Sequence, residues 1–436
     1  MNAPLRRGAC PGLSVPMPTG DGLLVRLLPI GTIPLGAFKE LCAAARTFGN
    51  GIVEITARGS IQVRGLDAAS APRFAAAVGV LGIAAQDGVP IHSSPLTGLD
   101  PDEILNSGAI AADLRRALAD NKLAARLSPK VSVIIDGSGA LDLDRLAADI
   151  RLRAETNDGA ALLRISVGGE AVSATDLGFV SPGYGVAAVI ALLQIIAQHG
   201  RDARAKDILA GQEIQPFGLA IHDLHVIPAR PRESGDPELD SRLRGNERKT
   251  AIGAHCLRDG SFAFGLGLAF GHANAASLES LTQTAEAMGA IGMRPAPERS
   301  LMIVGLAQDA PGAFVAEAER LGFIVRSDDP RRHVFACAGA PICASAHMAA
   351  RAAAPRVAAD NAGYLRGSFT IHLSGCAKGC AHPVPATRTI VGTAAGCALI
   401  ANGTARDRPF ANVRKDDVAA AIARHVRKLT GETAHG

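Results

Sequence analysis

A chain of 436 residues, 48% of them hydrophobic, has apolar mass for roughly two to four packed domains and excludes wholesale disorder. Its net charge of +4 is too balanced for bulk nucleic-acid binding, and no Trp with two Tyr leaves no stacking platform for single strands. The longest apolar stretch, Gly185–Ala197, falls short of the roughly 20 residues a membrane span needs, and the first residues lack the apolar segment of a secretory signal, so a cytoplasmic location is expected.

In chain order, Leu23–Pro29 is apolar and β-compatible. Pro34–Ala45 follows with helical spacing at Leu35, Phe38, Leu41 and Cys42 and a proline at its start. Gly51–Thr56 and Ser60–Arg64 alternate apolar and polar residues about Arg58-Gly59, a hairpin pattern. Ala71–Leu81 predicts a second helix, and a further strand near Val89–His92 rounds off a ferredoxin-like half. Beyond it, Val131–Asp136 and Leu162–Val167 predict strands, and Leu141–Leu152 and Gly185–Gln198 predict helices. Arg230–Lys249 is charged and rich in Pro and Gly, as an exposed linker would be. The early pattern then returns. Gly271–Gly322 matches Gly31–Gly82 without a gap at a constant offset of 240, and Gly and core-type residues coincide. Ser368–Leu373 and Ile390–Gly392 predict strands and Asp416–Leu429 a terminal helix. The expected fold class is α+β, internally duplicated, with two ferredoxin-like halves each followed by an α/β domain. The expected divisions are 1–90, 91–229, a linker at 230–250, 251–328 and 329–436.

Eight cysteines in a long chain without a signal argue for a reducing compartment and for metal or redox work. Four of them form two pairs, Cys337 with Cys343 and Cys376 with Cys380, set among Gly, Ala and Pro. Four thiolates can hold a [4Fe–4S] cluster, with small neighbours letting backbone approach the inorganic core. Structural zinc and thioredoxin-like pairs both favour two intervening residues, where these pairs have five and three. Cys42 lies on the apolar face of the first helix and is expected in the core; Cys10 is expected to be structural, and Cys256 and Cys397 have no partner pattern. Lys378, inside the second pair, is expected to face solvent. Gly265–Gly271 faintly matches a dinucleotide loop, but its third Gly is one place late and the repeat makes it a ferredoxin-like strand.

Cys-x5-Cys followed by Gly-Cys-x-x-Gly-Cys resembles the cluster motif of the nitrite and sulfite reductase superfamily, and the tandem duplication resembles its pseudo-twofold architecture over nearly the whole chain. That resemblance implies that Cys380 bridges the cluster to a second metal centre. It also implies that Ile55–Gln62 supplies Arg58 and Gln62 to a tetrapyrrole site, and that Leu127–Ser132 presents lysines to a bound anion. Here the lysine pair is Lys130 and Ser132, and Val89–Ser94 lacks the arginine that a reductase uses there. Arg6–Leu13, Pro16–Arg26, Ser94–Pro101 and Ser374–Pro383 resemble the precorrin-3B synthase family, a branch of that superfamily.

This second resemblance implies an O2-dependent monooxygenase of aerobic cobalamin synthesis that hydroxylates precorrin-3A and closes a γ-lactone. It implies a [4Fe–4S] cluster, a mononuclear non-haem iron and NADH as nominal reductant, with a separate electron-donor protein as a further partner because no NADH site is visible. The alternative is a sirohaem-dependent sulfite or nitrite reductase. A substrate rich in carboxylates calls for cations at its rim, and Arg58, Arg64 and Lys130, with Gln62 as a neutral partner, are the candidates. His382, two residues beyond Cys380, is the catalytic or iron-ligand candidate, followed by His92 and His372.

Overall fold

Residues 11–141, 143–211, 213–227, 250–308 and 310–414 are described by the computed structural model. Cys10, the expected linker Arg230–Lys249 and the expected helix Asp416–Leu429 lie outside the described residues. The first ferredoxin-like half comprises β1 (Met17–Thr19), β2 (Gly22–Leu27), β3 (Ile33–Pro34), α1 (Leu35–Phe48), β4 (Ile52–Ile55), β5 (Ile61–Leu66) and α2 (Ser70–Gly79). Helix α1 starts where Pro34 presets the backbone and ends at Gly49, and its buried Leu35, Phe38, Leu41, Cys42 and Ala45 share one face. The first α/β unit follows, with β6 (Ile91–Ser93), α3 (Ser107–Asn121), β7 (Val133–Asp136), β8 (Ala148–Asn157), β9 (Ala160–Gly169) and β10 (Thr175–Val180). It closes with α4 (Gly185–Gln198), α5 (Ala205–Ala210) and α6 (Gln215–Ile221).

The second copy retraces this path. It runs β11 (Gly253–Cys256), β12 (Phe262–Gly267), β13 (His272–Asn274), α7 (Ala275–Ala287), β14 (Gly292–Ala296), β15 (Ser300–Leu306) and α8 (Pro311–Arg320). Then come β16 (Val334–Ala336), α9 (Ala350–Asp360), β17 (Ile371–Ser374), β18 (Ala386–Thr393), β19 (Gly396–Gly403) and β20 (Ala411–Val413). Gly65 and its counterpart Gly305 both take left-handed backbone, φ 74° and 87°, and a Cβ on either would lie within 3 Å of a neighbouring side chain. That requirement is why glycine recurs there at the constant offset.

Neither ferredoxin-like sheet is built from its own copy alone. The first has strand order β1-β2-β5-β4-β13 and the second β11-β12-β15-β14-β3. His272 pairs with Glu54, and Ile33 with Met293, so each copy lends one short strand to the other. The helices that follow the lent strands, α1 and α7, join α2, α8 and the inner faces of both sheets in a single core holding Phe38, Phe74, Leu278 and Phe314. Burying each such side chain contributes about 2–3 kcal/mol. The α/β units share a topology as well. β6, β7 and β8 run parallel, as do β16, β17 and β18, and two antiparallel strands complete each sheet.

Two expectations are corrected. The strand near Val89–His92 does not finish the ferredoxin-like sheet. As β6 it pairs in parallel with β7, and the lent strand β13 takes the edge it was expected to fill. The helix expected over Leu141–Leu152 is an irregular segment leading into β8. Its helix-like spacing came from apolar residues serving separate cores: Leu141 beneath the second ferredoxin-like sheet, Leu143 in a small cluster with Ile134, and Ile150 and Leu152 in the β8 core. The Gly265–Gly271 stretch is strand β12 and the turn after it, not a strand–loop–helix phosphate site.

At the carboxyl ends of β6 and β7, buried carboxylates hold the loops. Glu103 accepts from Thr97 Oγ1 at 2.8 Å, Ser107 Oγ at 2.8 Å and the Gly98 amide at 2.8 Å. Asp100 accepts from the Ala140 amide at 2.6 Å. Arg258 and Arg294 of the second ferredoxin-like sheet donate to the Asp100, Pro95 and Thr97 carbonyls. Replacing Glu103 by Ala leaves buried donors unpaired. It should destabilise the protein by about 2–4 kcal/mol, read as a lowered urea midpoint, with Glu103→Gln milder.

Candidate metal centre and active site

The same two positions in the second α/β unit carry the thiols. Cys337 follows β16 and Cys376 follows β17, so both leave the carboxyl ends of adjacent parallel strands, where open α/β sheets form crevices. The Cys337 amide donates to the Leu373 carbonyl at 3.2 Å, and the Gly375 amide donates to Cys337 Sγ at 3.1 Å. The Cys343 amide donates to the Gly339 carbonyl at 2.8 Å. Gly339 brings this loop against the first amides of α9, where a Cβ would meet Ala350 N at 2.4 Å. A helix N-terminus favours the negative charge that clustered thiolates carry.

The four thiols are electrostatically coupled. Burial pushes the Cys337 thiol up, amide hydrogen bonds from Gly375 and Gly339 pull it back, and the charges of Cys376 and Cys343 raise it again. Cys380 is the exposed member. Desolvation raises its pKa, Cys337 adds to the rise, Arg64 opposes it, and Cys376 and Cys343 raise it further. Mutually repelling thiolates, amides aimed at sulfur and glycines around the loops suit an iron–sulfur core, whose iron would neutralise the charge. Among the described residues, no three His, Cys, Asp or Glu side chains converge tightly enough to hold a single metal ion. A cubane spreads its ligands over several irons and does not need that convergence. A mononuclear iron does, and the residues described here do not fit it.

The polar face of the first ferredoxin-like sheet covers this site. Arg26, Gln62, Glu54 and His272 form one cross-strand row. The Gln62 amide oxygen accepts the Arg26 guanidinium at 2.6 and 2.9 Å once the amide is oriented to do so. Arg64 is drawn inward. It donates to both oxygens of the buried Asp21 carboxylate at 2.8 Å and lies 3.5 Å from Glu54, which itself accepts from Arg351 of α9 at 2.7 Å. Arg58 donates to the Ala147 carbonyl at 2.6 Å, joining the β4–β5 hairpin to the first α/β unit. Lys130 is exposed on the turn at the amino end of β7, and Ser132 gives its amide to Asp149 at 2.9 Å.

The histidines are desolvated. Burial first, then Arg58, lowers His92 to about 4; burial, His382 and Arg299 lower His372 to about 3; burial and Arg299 lower His382 to about 4. His382 stacks on Phe335 with centroids 4.2 Å apart and meets His372 edge-on at 5.8 Å. Lys378 is exposed and donates to Ser345 Oγ at 3.0 Å. Asp21, Glu54, Arg351 and Arg299 were missed from the sequence. Arg299 had a signal, since the offset sets it opposite Gly59, but Arg351 had none.

Gly20, at the β1–β2 turn, accepts from the Ala344 amide at 2.8 Å, and a Cβ on it would lie 2.3 Å from Cys343 Sγ. Gly20→Ala should therefore displace Cys343 and lower the iron and sulfide retained after reconstitution, checked by metal and sulfide assay. Asp21 gives a pH dependence. Desolvation raises its carboxyl, but Arg64 and Thr19 outweigh this and hold it below the ordinary value of 3.8. Its contribution is full above that value and is lost as pH falls through the depressed folded value. Asp21→Asn should be less stable than wild type at pH 7, with the gap closing below pH 4 in denaturation series.

Residues 15–80 match the family model described as the nitrite/sulfite reductase ferredoxin-like half domain. The solved Mycobacterium tuberculosis NirA protein superposes with a TM-score of 0.73 at 18% identity, covering 95% of this chain and 82% of its own. A precorrin-3B synthase from Sinorhizobium sp. is 39% identical over 423 residues, 97% of this chain and 88% of that protein. With that identity running nearly end to end over a nitrite/sulfite reductase-like fold, the chain belongs to the precorrin-3B synthase family.

Proposed function

We propose that this chain is an oxidoreductase of cobalamin biosynthesis that converts precorrin-3A to precorrin-3B, inserting one oxygen atom of O2 and closing a γ-lactone. The end-to-end identity to a precorrin-3B synthase carries the reading. The tetrapyrrole is the substrate and lies in the crevice onto which Cys380 opens. O2 is the co-substrate, and its second oxygen leaves as water with two electrons and two protons. Bound by Cys337, Cys343, Cys376 and Cys380, a [4Fe–4S] cluster would supply one-electron transfer.

The chain's own residues do the rest. Arg58 and the Arg26–Gln62 pair present donors to substrate carboxylates, with Lys130 as an outer contact. Arg64, already engaged by Asp21 and Glu54, serves Cys380 as a charge partner in place of the rim role expected for it. No step is assigned to His382 or to a mononuclear iron, since the described residues do not assemble its ligands. The glycine-rich stretch is strand β12 and offers no nicotinamide loop, and a separate donor protein is the electron source this reading names beside NADH. Among the described residues no helix is long and apolar enough to cross a membrane.

Sulfite or nitrite reduction is the weaker reading. Such anions need clustered cations and proton donors. Lys130 stands exposed, its expected partner is Ser132, and His92 is held neutral. Full-length protein reconstituted with iron and sulfide should convert precorrin-3A, with reductant and O2, to a product heavier by one oxygen. Unchanged substrate beside an intact cluster would refute the proposal, and sirohaem extracted from the purified protein would favour the reductase.

A further inference from the structure

We propose that Arg299 is a positioning residue that fixes the loop carrying Cys380 and thereby sets the reduction potential of the cluster. This rests on the reading that the four thiols hold a [4Fe–4S] cluster. Arg299 lies in the turn between β14 and β15 with φ 61°, a left-handed conformation that an arginine adopts at a cost. The first copy has Gly59 at this point, φ 78°. The copy that carries the thiols thus accepts strain to place a long cation where its counterpart keeps a glycine.

The surroundings are built around that side chain. A Cβ on Gly271 would lie 2.7 Å from Arg299 Cδ, whereas one on its counterpart Gly31 would meet nothing within 4 Å. Arg299 Nη2 donates to the carbonyl of Ala381, the residue after Cys380, at 2.8 Å. Its guanidinium carbon sits 4.2 Å over the Phe335 ring, and that ring stacks on His382 at 4.2 Å with planes 6° apart. Below them His372 is fully buried, and neither of its ring nitrogens has a hydrogen-bond partner. Gly379, between Cys376 and Cys380, rests on this floor, where a Cβ would be 3.7 Å from His372 Cε1 and 3.1 Å from Ala405 Cβ.

The Cys380 loop is therefore held from below by a ring stack and from the side by one charged hydrogen bond. Arg299 is removed from water by burial, which lowers its pKa to about 10 against the opposing pull of Glu298 and Glu54. Its charge is poorly screened there, one hydrogen bond from the residue after Cys380, and a cation near a cluster favours the reduced, more negative state.

The test uses full-length protein reconstituted anaerobically, with iron and sulfide content measured first. Wild type without iron and sulfide sinks the cluster reading itself and leaves the positioning claim without an object. Given a loaded wild type, Arg299→Met should titrate at a more negative potential, with an altered electron paramagnetic resonance signal. Arg299→Lys, which keeps the charge, should return most of the shift. A loaded Arg299→Met with wild-type potential and signal overturns the proposal. Should Arg299→Met fail to hold iron, an Arg299→Lys that holds it at wild-type potential supports the proposal, and one that holds it at a potential far from wild type overturns it. If neither variant holds iron, an unchanged melting midpoint supports the loop-holding role, and a lowered midpoint assigns Arg299 to the fold alone and overturns it.

Discussion

The reciprocal exchange of β3 and β13 is the constraint on which the rest of the structure depends. Each strand is two or three residues long and pairs with the other copy's sheet, and each leads directly into α1 or α7. Withdrawing either would unzip a sheet edge and lift a helix out of the shared core. The two ferredoxin-like halves therefore cannot be separate domains in the folding sense. Their hairpin turns meet across the pseudo-twofold, with the Glu298 amide donating to the Ala57 carbonyl at 3.0 Å. The side chains this body brings to the four thiols, Arg64 and Arg299 among them, are positioned by it.

On that frame the two α/β units diverge in how they hold equivalent loops. The first uses Glu103 and Asp100, acceptors that meet backbone amides and hydroxyls and need nothing further. The second has four thiols whose charges oppose one another. A buried acceptor with its donors in place is complete. A set of mutually repelling thiolates is not, and the proposed iron–sulfur cluster would neutralise it. The two copies thus hold equivalent loops by different means, carboxylates in the first and thiols in the second.

Electrostatics around Cys380 follow from both ferredoxin-like sheets. The first brings Arg64, held by Asp21 and Glu54. The second brings Arg299, held by Ala381 and the Phe335 ring. Cations so constrained pay no entropy to find the site, and their partial burial limits screening. The neutral histidines beneath give an uncharged floor. Positive charge from Arg64 therefore acts on the exposed thiol, Arg299 holds the residue after it, and the histidine floor stays neutral.

The sequence by itself determined the duplication, the helices α1 and α4, the hairpin about Arg58-Gly59 and the four cysteines as a set. Each is carried by local spacing, by glycines that need left-handed backbone, or by residue types with few other uses. Spacing failed at Leu141–Leu152, where neighbouring leucines serve different cores, because one-dimensional periodicity cannot say which neighbour buries a side chain. It failed again at the sheet edges, since a two-residue strand lent across about 260 positions has no local signature. Arg64 could be picked out as a cation near the site, but its engagement by Asp21 depends on how β1, β2 and β5 lie together. Arg299 and Arg351 act through partners far away in sequence. Only the tertiary structure decided which charges face Cys380, because that depends on two copies folding into one body.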